Sequence, residues 1–144
     1  WEKGIQYGTA ALRDAPADPT LYANLGTLYF RKGQYNQAAE YLELAVRGGT
    51  NEDGVAVEGI PLSYDLTTIE TYSRYGLALA NINSCSQAVT VANTLLATVA
   101  DNENAVYNAN EILKICEENL LNPPTATPAP TPTIVTGPTA TPQP

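Results

Sequence analysis

The chain has 144 residues, 15 acidic against 7 basic side chains and no histidine, for a net charge of −8. Without histidine there is no imidazole for acid–base steps, for triads or for metal ligation, and two cysteines alone cannot complete a zinc site. The negative surplus repels phosphate, so the composition points away from an enzyme, a metalloprotein and a nucleic-acid binder, and it implies no cofactor.

In chain order, Trp1, Ile5, Gly8 and Leu12 fall along one side of a first helix. Between Leu21 and Val46 apolar residues recur at spacings of three and four: Leu21, Leu25 and Leu28 on one helix, then Ala38, Tyr41, Leu42 and Ala45 on the next. Lys32-Gly33-Gln34 is the turn between them. From Gly48 to Leu66 this period is lost. Val55 to Tyr64 carries strand-like residues interrupted by Gly59 and Pro61, which predicts a short irregular hairpin or lobe, either a contact surface or a tolerated loop. Asn51-Glu52-Asp53-Gly54 lacks the alternating oxygen ligands and distal glutamate of a calcium loop and reads as a polar turn. Over 103–121, Ala105, Ala109, Ile112, Cys116 and Leu120 form a stripe opposite Asn104, Asn108, Glu111 and Glu118, as a capping helix requires. Scattered acids such as Glu40, Glu43, Glu117 and Glu118 read as solvated helix faces.

Composition changes abruptly at Asn122. The last 23 residues hold eight of the eleven prolines and seven threonines, and no charge. Such a stretch cannot sustain a helix or a central strand and is expected to run as extended polyproline II. Thr-Pro tracts of this kind resemble the glycosylated stalks of secreted and cell-surface proteins. Thr125, Thr127, Thr131, Thr133, Thr136, Thr139 and Thr141 are therefore candidate O-glycosylation sites, with an unmodified spacer as the alternative. Two domains are expected: a helical one over 1–121, with an insertion at about 48–66, and the Thr/Pro-rich tail over 122–144.

Tyr22, Leu25, Gly26 and Tyr29, followed by Ala38, Leu42 and Ala45, resemble a tetratricopeptide repeat, in which an aromatic, a Leu-Gly pair and a Tyr mark the first helix and small residues mark the second. The closing proline of the family is missing after Val46. Tyr72, Tyr75, Gly76, Leu79 and Ala88 return to the same spacing fifty residues downstream, which is one 34-residue period plus about 16 inserted residues. One period upstream, Ala11 and Pro16 place residues 1–14 as the second helix of a preceding repeat. The resemblance implies an all-α solenoid of a half repeat, two repeats and a capping helix. It also places Cys85 at the start of one helix and Cys116 near the end of its antiparallel neighbour. A disulfide is expected there, which favours an oxidising, extracellular or cell-surface location; the alternative is two buried thiols.

Repeats of this family bind proteins on the concave face of their first helices. By resemblance the lining would comprise Asn24, Thr27, Phe30 and Arg31, then Ser73, Arg74, Leu77 and Asn81, then Asn108 and Lys114. Asn24, Arg74 and Asn108 partly match a carboxylate clamp, although Glu70 and Asn104 stand where lysine belongs. Self-assembly is the other expectation. Trp1, Ile5, Gly8 and Leu12 would form an uncovered front end, and a head-to-tail contact that does not close makes a filament. The start at Trp1 is expected to reflect processing or a longer parent chain. No stretch reaches the 18 apolar residues of a membrane span, so no membrane insertion is expected of this chain. The expected role is contact: a self-associating extracellular subunit, or alternatively a peptide-binding module.

Overall fold

The structure is a computed structural model and describes residues 1–124. Six helices follow one another: α1 Glu2–Asp14, α2 Pro19–Arg31, α3 Tyr35–Arg47, α4 Leu66–Asn81, α5 Cys85–Thr98 and α6 Glu103–Leu121. Between α3 and α4 lies a hairpin of two short strands, β1 Gly49–Thr50 and β2 Ala56–Val57, paired antiparallel with Gly49 opposite Val57. The described residues are thus all-α apart from this hairpin.

Local chemistry sets the helix starts. Asp18 accepts from the Thr20 amide at 2.9 Å, with Pro19 at the first helical position, where its missing N–H costs nothing. Asn102 caps α6 in the same way through the Ala105 amide at 2.9 Å. The α2–α3 and α4–α5 turns are copies of one another. Gly33 and Asn83 both adopt left-handed backbone, at φ 76° and 61°. The next residue then donates back into the helix, Gln34 to the Tyr29 carbonyl at 3.0 Å and Ser84 to the Leu79 carbonyl at 2.8 Å. Glycine and asparagine are the residues that take this conformation at least cost.

Each helix packs on its successor from α2 to α6, except that the hairpin intervenes between α3 and α4 without separating them; α4 lies in addition against α6 and touches α2. The main core joins α3 to α6 around Leu42, Tyr75, Leu95, Val99 and Ile112, all essentially inaccessible. Small residues permit the close crossings. A Cβ on Gly26 would lie 2.5 Å from Leu42 Cγ, and one on Gly76 would run into Val91 of α5 and Ile112 of α6. A smaller cluster of Tyr22, Ala23, Ala45 and Val57 joins α2, α3 and the hairpin, and Leu12 of α1 packs against it.

The insertion is built onto the end of α3. Gly48 and Gly59 cross backbone to backbone, such that a Cβ on Gly48 would sit 2.5 Å from the Val57 carbonyl and 2.6 Å from the Gly59 nitrogen. Ile60 donates to the Ala45 carbonyl at 2.8 Å, and Tyr72 of α4 donates its hydroxyl to the Ile60 carbonyl at 2.8 Å. The lobe is therefore tied to both flanking helices.

Candidate functional site

Cys85, at the first position of α5, and Cys116, in the penultimate turn of α6, form a disulfide with their Cα atoms 5.5 Å apart. The antiparallel packing of α5 and α6 brings these two helix ends together. Near this bridge Asn119 ties the end of α6 to α4, donating to the Ala80 carbonyl at 3.2 Å.

The residues assigned by resemblance to a groove fall into three groups. Asn24, Arg31, Asn81 and Lys114 are exposed, while Thr27, Phe30, Leu77 and Asn108 are half-buried. Arg74 is engaged by Glu70 one turn earlier at 2.8 Å, so it is not a free cation. Ser73 is a correction. It is only 2% exposed, with its hydroxyl inside the packing and unpartnered, and it cannot line a groove. The period explains this: Ser73 lies fifty residues after Ala23, which is buried in the same way.

The proposed front face also separates. Trp1 is 60% exposed, but Gly8 faces inward: a Cβ there would meet Leu25 Cδ2 at 2.7 Å. Leu12 packs on the small core, and Ile5 is half-buried. Gly8 and Leu12 thus belong to the α1–α2 contact. The outer side of α1 instead carries Tyr7, 72% exposed and outside the stripe of Trp1, Ile5, Gly8 and Leu12. At the other end of the array Tyr107, Leu120 and Leu121 are exposed on α6. The candidate O-glycosylation threonines, Thr125 through Thr141, lie outside the described residues.

A cavity of about 500 Å³ opens between the C-terminal half of α1, the outer face of α3 and the hairpin loop. Leu12, Pro16, Leu44 and Val55 supply apolar wall, and the rings of Tyr22 and Tyr41 stand beside each other with centroids 6.3 Å apart. Glu40, Glu52 and Asp53 line it with Arg13. Among the described residues none of these four charges is paired. Sequence reasoning saw 51–54 only as a polar turn, because its distance from Tyr41 and Arg13 along the chain hides their convergence.

The loop is rigidly built. The Asn51 side chain accepts through Oδ1 from the backbone amides of Asp53 and Val55 at 3.0 and 2.8 Å, and donates through Nδ2 to the Tyr22 hydroxyl at 3.1 Å. That hydroxyl in turn donates to the Pro16 carbonyl at 2.8 Å. Tyr41 is stacked from behind by Tyr29, centroids 5.3 Å apart. Burial pushes the Tyr41 phenol up, and Tyr29 and the nearby carboxylates of Glu52 and Glu40 add to it.

The described residues contain no group of three or more histidine, cysteine or acidic side chains arranged to hold a metal ion, and no helix long and apolar enough to cross a membrane. What the described residues present is a disulfide-closed, acidic set of helices with this cavity walled by α1, α3 and the hairpin loop. Compared with models of protein families, with curated proteins and with solved structures, the chain matches none.

Proposed function

We propose that this chain is a non-enzymatic subunit of tetratricopeptide-like helical repeats that associates with copies of itself end to end in an extracytoplasmic setting. The observation that carries the reading is the distribution of exposed apolar side chains. Of the seven large ones at the surface among the described residues, Trp1 and Tyr7 lie at one end of the array and Tyr107, Leu120 and Leu121 on the helix at the other. Opposite ends of one molecule that both expose apolar groups favour a heterologous contact, which propagates. The repeat assignment is supported by the two matching turns at Gly33 and Asn83 and by the close crossings at Gly26 and Gly76. The disulfide supports an oxidising compartment. In this reading the Thr/Pro tail lies along the neighbouring subunit and its threonines are the sites for O-linked sugar.

The test is sedimentation and negative-stain microscopy of the chain and of two variants, Trp1→Ser with Tyr7→Ser, and Leu120→Ser with Leu121→Ser. Association that is concentration-dependent, and that either variant dissolves while helicity is kept, is the expected result. A chain that is monomeric at every concentration overturns it.

The peptide-groove reading keeps one specific support: α4 lies against both α2 and α6, and Asn24, Arg31, Asn81 and Lys114 on these three helices are exposed. On that reading Arg31→Ala abolishes capture of a peptide partner without changing the assembly state.

A further inference from the structure

We propose that the cavity between α1, α3 and the hairpin loop is a binding site for a cationic ligand with an apolar stem, an alkylammonium or guanidinium group. The site is separate from the ends of the array and does not depend on end-to-end association. Its volume of about 500 Å³ falls in the range of small-molecule sites, and its make-up is of the same kind: apolar walls with a few convergent polar groups.

The walls determine the ligand. Leu12, Leu44 and Val55 give a methylene stem an apolar surface. Tyr41 offers a ring face whose negative quadrupole attracts a cation. This ring is pre-positioned, because Tyr29 stacks behind it at an interplanar angle of 9°. Tyr22 beside it is held by its hydrogen bonds to Asn51 and Pro16. A ligand entering here therefore meets rings that have little freedom left to lose, which favours affinity.

Charge sets the sign. Glu40, Glu52 and Asp53 line the opening against one opposing cation, Arg13, so the local balance is negative. None of the three carboxylates is neutralised by an ion pair among the described residues. An anionic guest would face these carboxylates as well as a chain of net charge −8. A cation meets the ring face and the carboxylates together, with its stem in the apolar part. Such a group reaches the site either as a free amine or as a lysine or arginine side chain of a protein; the recognising chemistry is the same.

The test is NMR titration of the disulfide-intact chain with n-butylammonium, and with n-butanol as a probe of equal stem but no charge. Butylammonium is expected to give saturable amide shifts at Asn51–Val55 and around Tyr41, with butanol at least about tenfold weaker. In the double variant Glu40→Gln, Glu52→Gln, two exposed positions whose loss does not threaten the fold, butylammonium is expected to weaken roughly tenfold while butanol is unchanged. An acetylated and amidated Gly-Lys-Gly peptide forms the last arm. Tighter binding than butylammonium upholds the site and assigns it to a protein side chain, whereas weaker binding upholds it for a free amine. Equal response to butanol and butylammonium, shifts that ignore the double variant, or no saturable shift at all overturns the proposal. All of these readings are independent of whether the chain associates.

Discussion

Tyr75 buries a phenol in the centre of the main core, 1% exposed, with no hydrogen-bond partner for its hydroxyl. Burial pushes this phenol up; Glu43 adds to the shift, and the nearby Arg47 guanidinium partly offsets it. Because the buried hydroxyl has lost water without a well-formed hydrogen bond in return, Tyr75→Phe is expected to be neutral or to raise stability by about 1 kcal/mol, measured by urea unfolding. Tyr41 and Tyr72 are also held above the ordinary phenol value of 10.0, in both cases chiefly by burial. A folded-state pKa raised above the unfolded one contributes stability that is complete below the unfolded value and is lost as pH rises toward the folded one. The thermal midpoint is therefore expected to fall as pH climbs past 10, and more steeply in the native chain than in Tyr75→Phe. Gly26 tests packing at the same scale. A methyl there would lie 2.5 Å from Leu42 Cγ and 3.1 Å from the Leu42 backbone nitrogen, and only the first of these can yield. Gly26→Ala is expected to cost about 1–3 kcal/mol in the urea midpoint.

At the scale of elements, the two ends of the array are held by different means. The Cys85–Cys116 bridge spans 31 residues and links α5 to α6. On the chain-entropy model its loss costs about 3–4 kcal/mol, so adding reductant is expected to lower the urea midpoint by a matching amount, with no effect on the variant Cys85→Ala, Cys116→Ala. α1 has no buried residue and leans on α2 through Gly4, Gly8 and Leu12, with Glu2 paired to Lys32 at the end of α2. The hydrogen bond and charge of Lys32 hold the Glu2 carboxyl below its ordinary value. A lowered carboxylate pKa gives a contribution that is present above the ordinary value of 4.5 and disappears as pH falls through the lowered one. Hydrogen exchange of α1 amides is expected to be faster, relative to α4, in acid and in Glu2→Gln; equal behaviour of α1 in both would show that the pair does not tether it. Most element boundaries were legible because they rest on local chemistry. Lys32-Gly33-Gln34 marks the turn between two helices, and apolar spacing marks the faces. The hairpin was legible only as an irregular lobe, since its shape depends on the Gly48–Gly59 crossing, a contact between residues eleven apart that no local period encodes.

For the molecule as a whole, the amino-acid sequence by itself determined the absence of imidazole chemistry, the acidic charge, the helical class and the Thr/Pro segment, because composition and short-range period act within a few residues. It also indicated the cysteine pair, through the antiparallel course of neighbouring helices. Tertiary structure decided which sides of these helices are available. Ser73 is enclosed because α4 is covered on several sides by α3, α5 and α6, whereas Gly8 and Leu12 are turned inward because α1 has only α2 and the small core to pack against. Tyr7 is left outside by that same rotation. The cavity is wholly a tertiary product: Arg13, Tyr41 and Glu52 come from three elements, and their meeting follows from how the insertion folds back over α3. A period along the chain specifies that a side is apolar, but the number of neighbours around each helix specifies whether that side is core or surface.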